Sequence, residues 1–159
     1  MSLSIQPLNE INARACVAWH YEAPLDFYNL NPNQIEQNVQ YFLDSKNQFY
    51  GIFEKQEFMG FCSFGEDGQV NGGDYSLQGL DIGMGIRPDL IGQGRGSYYV
   101  EAVLNFASTK FNPLIYRVTI AAFNQRALRV WHKAGFHPAN TFEDKSQGVT
   151  FVTLVKKAQ

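Results

Sequence analysis

The sequence predicts an α+β fold with a mixed, largely antiparallel central sheet of about seven strands and helices on both of its faces. Two observations lead to this fold class, and a third indicates the number of domains. The first half of the chain shows one strand-like run, two helical patterns and then two adjacent strand-like runs. The second half alternates strand, helix, strand and helix before two final strand-like runs. The chain has 159 residues, 45% of them hydrophobic, and we therefore expect a single domain over residues 1–159.

The first half of the chain predicts three strands and two helices. The strand-like runs cover residues 3–8, 48–54 and 58–65. The first of them contains Pro7, and the last two suggest a hairpin. The first helix is expected to begin after a cap at Asn9 or Asn12 and to run through Trp19. A second helix is expected over residues 33–43, where apolar side chains recur at helical spacing.

The second half predicts four strands and two helices. Its strand-like runs cover residues 75–86, 114–121, 136–143 and 149–156. One helix is expected over residues 97–107, and another between Asn124 as its cap and Gly135 as its stop. A polar loop with several glycines, residues 66–74, leads into the first of these strands.

Composition and charge exclude several classes of function. The 13 basic and 15 acidic residues give a net charge of −2, so we expect no nucleic-acid partner. No apolar run approaches the length of a transmembrane span, and the first residues lack a signal-peptide pattern, so we expect no membrane partner and a cytoplasmic location. The two cysteines and three dispersed histidines have no metal-binding spacing, so we expect no metal site.

Glycine occupies every second position of one loop, at Gly92, Gly94 and Gly96. A strand, a glycine-rich turn and a helix N-terminus together suit a phosphate group, because the first N–H groups of a helix lack partners within it. Two common phosphate-binding loops do not fit. A P-loop needs a lysine that is absent between Arg87 and Glu101, and a dinucleotide-binding loop needs a different glycine spacing.

Two segments resemble the motifs of the GNAT superfamily of N-acetyltransferases. Residues 91–96 are similar to its acyl-CoA loop, Arg/Gln-x-x-Gly-x-Gly/Ala, with Ile91 in place of the first polar residue. Residues 124–136 are similar to its second motif, Asn-x-x-Ala-x-x-x-Tyr-x-x-x-Gly-Phe, with Trp131 in place of the tyrosine. The resemblance covers about residues 75–155, and the two motifs stand in the order that the superfamily has.

The resemblance implies the three-layer GNAT fold, acetyl-CoA as co-substrate, and direct transfer of the acetyl group to a primary amine of a small molecule or a protein. In the superfamily the pantetheine arm lies between two splayed strands and the pyrophosphate lies on the glycine loop. The cofactor-binding residues are then Met84, Gly85, Ile86, Arg87, Gly92, Gln93, Gly94, Arg95, Gly96, Ser97 and Asn124. A backbone N–H near Met84 would polarise the thioester carbonyl, and Arg87 and Arg95 are candidates for a phosphate on the adenine side. Superfamily members are often dimers, so a homodimer is one expected arrangement.

The catalytic candidates rest on positions where the chain departs from the superfamily. Trp131 replaces the tyrosine that acts as the acid, and an indole N–H can donate a hydrogen bond but not a proton. Many relatives have a glutamate where this chain has Leu80, which leaves Asp81 as the candidate base. Strand alternation would turn Asp81 to the opposite face unless a bulge intervenes. The other candidate bases are Asp74, Glu66 and Glu22.

The acceptor amine is expected to lie against the aromatic segment 19–30, which in the superfamily forms part of the acceptor pocket. The candidate acceptor-binding residues are Tyr21, Glu22, Phe27 and Tyr28, although their rings are equally suited to packing over the core. Glu22, Asp26 and the acids of residues 66–74 would suit a cationic amine. Two other functions remain as hypotheses: a non-catalytic module of the same fold that binds acyl-CoA, and a nucleotide-binding domain unrelated to acetyl transfer.

Overall fold

A computed structural model describes residues 2–158, so Met1 and Gln159, the two ends of the predicted domain, lie outside the described residues. Within residues 2–158 the chain forms seven strands and four α-helices. The strands are β1 (Leu3–Pro7), β2 (Phe49–Glu54), β3 (Glu57–Phe64), β4 (Leu80–Ile86), β5 (Ile115–Ala121), β6 (His137–Asp144) and β7 (Val149–Lys157). The helices are α1 (Glu10–Ala18), α2 (Ile35–Leu43), α3 (Gly96–Phe111) and α4 (Gln125–Lys133).

The strands form one sheet in the order β1-β2-β3-β4-β5-β7-β6. Every neighbouring pair is antiparallel except β4 and β5. This pair is parallel because α3 forms the crossover connection that parallel strands need. The mixed, largely antiparallel sheet of seven strands that the sequence predicts is therefore confirmed.

Two hydrophobic clusters hold the helices against the sheet. The larger cluster packs Ile82 of β4 and Val118 of β5 with Val103 of α3 and Trp131 of α4. The smaller cluster packs α1 and α2 against the sheet, and its buried members are Ala13, Cys16, Val17, Val39, Phe42 and Phe49. Each fully buried aliphatic or aromatic side chain contributes about 1.5–3 kcal/mol relative to exposure, so these clusters fix the position of the central strands.

The central strand is shorter than predicted, since β4 begins at Leu80 and not at residue 75. Hydrogen bonds of the Tyr75 hydroxyl explain the difference. This oxygen accepts from the Val70 N–H at 2.9 Å and lies 2.9 Å from Thr119 Oγ1. The Tyr75 ring also lies 4.9 Å from the guanidinium carbon of Arg117. These contacts hold residues 75–79 in an irregular segment.

Asparagines define two helix ends. Asn9 caps α1, because its side-chain oxygen accepts from the Asn12 N–H at 2.8 Å, which decides between the two caps that the sequence allowed. Helix α3 extends to Phe111, beyond the predicted end at residue 107, and stops where Asn112 adopts a φ of 45°. Asparagine tolerates this left-handed conformation better than most residues do.

Strands β4 and β5 pair over only part of their length. The partners in register are Leu80 with Tyr116, Asp81 with Arg117, and Ile82 with Val118. Beyond Ile82, β4 continues to Ile86 along β3, while β5 continues to Ala121 along β7. The two strands therefore separate, and backbone N–H and C=O groups of both face a gap in the middle of the sheet.

No helix within residues 2–158 is both long enough and apolar enough to cross a membrane. Over the same range, no three or more His, Cys, Asp or Glu side chains gather as ligands of a metal ion.

Candidate functional site

A cavity of about 340 Å³ lies at the gap between β4 and β5. Its floor is formed by residues 82–86 of β4 and residues 118–120 of β5. Helices α3 and α4 contribute one wall, with Gly96, Ala127, Val130 and Trp131. The opposite wall belongs to the N-terminal half of the chain and includes Cys16, Trp19, Tyr21, Leu25, Tyr28, Leu30, Phe42 and Phe61. The cavity thus joins both faces of the sheet at the point where the strands part.

Two glycines of β4 let neighbouring side chains approach the strand closely. A Cβ atom at Gly83 would lie 2.5 Å from Ser63 Oγ, and one at Gly85 would clash with the Phe61 ring. Both positions line the cavity. A larger residue at either position would displace the cavity wall on the α1–α2 face, so these glycines set the shape of the floor.

The glycine loop leads directly into α3. Gly92 and Gly94 have φ values of 82° and 74°, which favour glycine because it has no Cβ. A Cβ at Gly96 would lie 2.8 Å from a methyl carbon of Val130, so this glycine allows α3 to pack against α4. Arg95 precedes α3 without a side-chain cap, which leaves the N–H groups of the first turn available to an anion.

The two arginines that the sequence suggested for phosphate are engaged elsewhere. Arg95 donates to both carboxylate oxygens of Glu54, at 3.2 and 2.9 Å, and this guanidinium holds the pKa of Glu54 below its usual value. Arg87 pairs with Asp89 at 2.6 Å and with Glu57 at 2.8 Å. Each guanidinium already has carboxylate partners, and both arginines therefore help to hold the loop to its neighbouring strands.

Two other arginines, both on α4, lie beside the glycine loop. A terminal nitrogen of Arg126 lies 3.5 Å from the position of a Cβ at Gly92. Arg126 and Arg129 are exposed and line a second cavity of about 510 Å³, which adjoins the first at Arg126 and Asn124. In the part of the chain that the structure describes, neither guanidinium forms a hydrogen bond or an ion pair. The sequence-based prediction did not include these two arginines, although their i, i+3 spacing places them on one side of the helix that follows the Asn124 cap.

Asp81 lies outside the cavity, and this position does not favour the base that the sequence suggested. Arg117 donates to its two carboxylate oxygens at 2.6 and 2.8 Å, and Gln69 donates to one of them at 2.9 Å. The side chains of Asp81 and Arg117 are each 4% exposed. Register explains the placement, because the two residues are direct partners in the paired part of β4 and β5. Asp81 is thus half of a buried ion pair.

Another carboxylate, that of Asp67, lies beside the floor of the cavity. Ser63 and Tyr41 donate hydroxyl hydrogen bonds to its two oxygens, both at 2.6 Å. One of these oxygens would lie 3.1 Å from a Cβ at Gly83. The sequence marked residues 66–74 as an acidic loop but did not single out Asp67. Asp67 does not itself line the cavity, and neither do Glu66 and Asp74 among the other candidate bases, while Glu22 lines only the second cavity.

Trp131 and two tyrosines are among the residues with polar hydrogens that line the cavity. The Trp131 indole is buried and packs edge-on against Phe136, with ring centroids 5.1 Å apart. The Tyr21 hydroxyl donates to the carbonyl oxygen of Ile86 at 2.7 Å, and the Tyr28 hydroxyl accepts from the Asn124 side chain at 3.3 Å. Burial raises the pKa of both phenols, so they remain protonated at neutral pH.

The remaining predicted acceptor residues lie at the edge of the site or behind it. Phe27 packs against the rings of Tyr28 and Phe123, with centroids 5.2 and 5.7 Å away, and lines neither cavity. Glu22 lines the second cavity with a side chain that is 92% exposed. Of the four predicted residues, Tyr21 and Tyr28 alone line the cavity at the strand gap.

Cys16 also lines the cavity, although the sequence offered no reason to select it. Burial raises the pKa of its thiol to about 12, so the thiol is protonated at neutral pH. A protonated thiol is a poor nucleophile, and the arrangement favours direct attack on a bound acyl group over a covalent intermediate on Cys16.

Comparison with known proteins agrees with this geometry. The model of a protein family described as an acetyltransferase (GNAT) domain matches residues 5–137. A comparison with curated protein sequences found no match.

Three solved structures illustrate the similarity of fold. The aminoglycoside acetyltransferase AAC(6')-Ib in complex with coenzyme A has a TM-score of 0.79 and 16% identity, over 99% of this chain and 96% of that one. A spermidine N-acetyltransferase SpeG chimera from Vibrio cholerae and hSSAT has a TM-score of 0.73 and 14% identity, over 99% and 96%. The N-acetyltransferase PseH of Campylobacter jejuni has a TM-score of 0.67 and 16% identity, over 99% of both chains.

Proposed function

This chain belongs to the GNAT acetyltransferase family, and we propose that it transfers the acetyl group of acetyl-CoA to a primary amine by direct attack. We propose also that residues 1–159 act as one domain. The observation that supports the proposal most strongly is the cavity at the strand gap, because it opens beside a glycine loop and a helix N-terminus. Acetyl-CoA, the co-substrate of GNAT domains, has an extended arm and a pyrophosphate that suit these two features.

The chain offers matching groups to each part of the co-substrate. Backbone groups of Met84, Gly85 and Ile86 would bind the pantetheine amides, with Asn124 at the side of the cavity. The backbone of residues 92–97 would bind the pyrophosphate. Arg126 and Arg129 are the proposed cations for the phosphates, since their guanidinium groups have no carboxylate partners within residues 2–158.

Transfer requires a neutral amine, because a protonated amine has no lone pair. The amine nitrogen forms a bond to the acetyl carbon, the carbon–sulfur bond breaks, the amine loses a proton and the thiolate gains one. Asp67 is the proposed base, acting through a water molecule, because its carboxylate lies beside Gly83 on the face opposite α3. The backbone N–H near Met84 would stabilise the developing oxyanion.

Tyr28 is the proposed proton donor to the leaving thiolate. Trp131 has no dissociable proton to give, whereas the phenol of Tyr28 lines the same cavity and stays protonated. Asn124 donates to the Tyr28 oxygen at 3.3 Å, which positions this phenol at the cavity wall. A thiol has an ordinary pKa of about 8.5, so the thiolate can leave with only partial protonation.

A second candidate function is a module that binds acyl-CoA without transfer. The replacement of the motif tyrosine by Trp131 favours it.

The first experiment is thermal unfolding in the presence of acetyl-CoA, CoA or ATP. A ligand at 100 times its dissociation constant adds about 2.7 kcal/mol to the free energy of unfolding and raises the unfolding midpoint by several degrees. We expect a rise with acetyl-CoA and CoA but not with ATP, whereas an equal rise with ATP would indicate a nucleotide-binding domain.

The release of free CoA in the presence of a panel of primary amines then separates the two functions. We expect CoA release that depends on the amine, with the acetylated amine identified by mass spectrometry. Binding of acetyl-CoA without transfer to any amine would leave the binding module as the function. No binding of acetyl-CoA would overturn both.

A further inference from the structure

We infer that the acceptor is a small primary amine that carries a flat apolar group and no second positive charge. This inference deepens the proposed function and rests on it. Three features of the cavity support it: an aromatic wall against the central strand, an apolar rim, and a lining without carboxylates.

The aromatic wall is formed by Trp19, Phe42 and Phe61, which line the cavity on the face of the sheet covered by α1 and α2. Trp19 stacks on Phe61 with centroids 6.1 Å apart and an angle of 20° between the rings. Phe42 meets Phe61 edge-on at 5.3 Å. The Phe61 ring fills the space next to Gly85, so the wall is in contact with β4, one residue from Met84. Flat apolar groups pack well on such ordered rings.

The rim of the cavity on the same side is also apolar. It includes Leu25, Tyr28 and Leu30 from the segment between α1 and α2. Tyr28 is 37% exposed and Leu30 is 38% exposed, so both leave apolar surface in contact with water. An acceptor with an apolar body would cover this surface as it enters, whereas a polar one would leave it in water.

The charge of the lining decides against amines with several positive charges. Among the described residues that line the cavity there is no Asp, Glu or Lys, and Arg126 is the one formally charged side chain. A buried ammonium group without a carboxylate partner is strongly disfavoured. Asp67 lies beside the floor and can serve a single reacting amine.

Two other acids near the site already have arginine partners, and a third lies outside the cavity at the strand gap. Glu54 is paired with Arg95, and Asp81 is paired with Arg117. Glu22 is exposed and lines the second cavity. The sequence-based expectation that acids of this region suit a cationic amine therefore does not extend to the walls of the cavity at the strand gap.

The test compares kcat/KM for four amines at saturating acetyl-CoA: 2-phenylethylamine, tryptamine, n-butylamine and spermidine. We expect the two aromatic amines to exceed spermidine by roughly 100-fold or more, because the extra ammonium groups of spermidine would be unpaired. n-Butylamine has one charge and no ring, and its kcat/KM should lie between them. The inference would be overturned if kcat/KM for spermidine equalled or exceeded that for the aromatic amines. It would also be overturned if kcat/KM for n-butylamine exceeded that for both aromatic amines.

A matched pair of variants tests the role of the cavity surface. Leu30→Glu places a carboxylate at the rim, and we expect it to raise kcat/KM for spermidine roughly 10-fold and lower it for 2-phenylethylamine. Leu114→Glu is the control, since Leu114 is 86% exposed and lines neither cavity. Equal changes in the two variants would show that net charge, and not the cavity rim, controls the choice of amine.

Binding of the amines to the protein with CoA present separates this inference from the proposed function. Calorimetric titration with 2-phenylethylamine and with spermidine needs no turnover. If no amine is acetylated, the proposed function fails, yet tighter binding of 2-phenylethylamine would still support the preference of the cavity for a flat apolar amine with one charge. Tighter binding of spermidine, or equal binding of the two, would overturn the inference even if acetyl transfer occurs.

Discussion

Replacing Asp81 by asparagine separates a structural role from a catalytic one. The variant removes the negative charge but leaves the Arg117 guanidinium buried, with its side chain 4% exposed. Breaking a buried ion pair costs about 3–5 kcal/mol, and asparagine keeps one oxygen acceptor, so we expect a loss of about 3 kcal/mol. For a domain of this size, that loss lowers the unfolding midpoint by about 6–12 °C.

The assay combines thermal unfolding with acetyl transfer measured well below the unfolding midpoint. We expect Asp81→Asn to unfold at a lower temperature while kcat stays within about two-fold of the unchanged protein, because the Asp81 carboxylate is held in its ion pair with Arg117. Replacing both partners, Asp81→Leu with Arg117→Met, should recover much of the lost stability, since no unpaired charge then remains buried.

A matched variant, Asp67→Asn, should behave in the opposite way. Asp67 is half-buried and its loss leaves no unpaired cation, so the midpoint should change little while kcat falls about 100-fold or more. An unfolding midpoint of Asp81→Asn equal to that of the unchanged protein, together with a 100-fold loss of kcat, would refute the reasoning and restore Asp81 as the base.

Three further outcomes are expected. Arg126→Ala should raise the dissociation constant of acetyl-CoA by about 10-fold or more, because a charge-assisted hydrogen bond contributes about 1.5–3 kcal/mol; an unchanged constant in a calorimetric titration would contradict this. Gly94→Glu should weaken acetyl-CoA binding with a modest loss of stability, since a Cβ there meets open space, whereas Gly96→Glu should also lower the unfolding midpoint because the side chain would meet α4. Finally, the Arg95 guanidinium holds the pKa of Glu54 below its ordinary value. The ionised Glu54 carboxylate therefore stabilises the folded state above about pH 4.3, and this contribution is lost as the pH falls through the folded-state pKa. Unfolding midpoints of Glu54→Gln should therefore depend less on pH in this range than those of the unchanged protein.

The sequence predicts well those features that depend on local chemistry. Alternation, helical spacing and glycine positions place the seven strands and the loop before α3. The side-chain oxygen of Asn124 accepts from the Ala127 N–H at 3.3 Å, as expected of a helix cap. Such features are decided within a few residues, so a single chain reveals them.

Local sequence patterns do not predict features that depend on contacts between residues far apart in the sequence. Arg95 precedes the helix that a phosphate would approach, but its partner Glu54 lies 41 residues away on β2. Asp81 has the carboxylate that a base needs, but its register partner on β5 is Arg117. Asp67 is one of several acids in its loop, and the hydrogen bonds from Ser63 and Tyr41 are what distinguish it. In each case tertiary contacts decide whether a charge is free or neutralised.

The short pairing of β4 and β5 has a consequence for how the molecule opens. The sheet consists of two antiparallel halves, β1–β4 and β5–β7, and three residue pairs join them. Amide hydrogens next to such a short seam exchange with solvent sooner than those inside either half. A molecule that binds in the gap would span the seam and link the two halves, so we expect it to slow hydrogen exchange at Gly83–Ile86 and to make the two halves unfold more cooperatively.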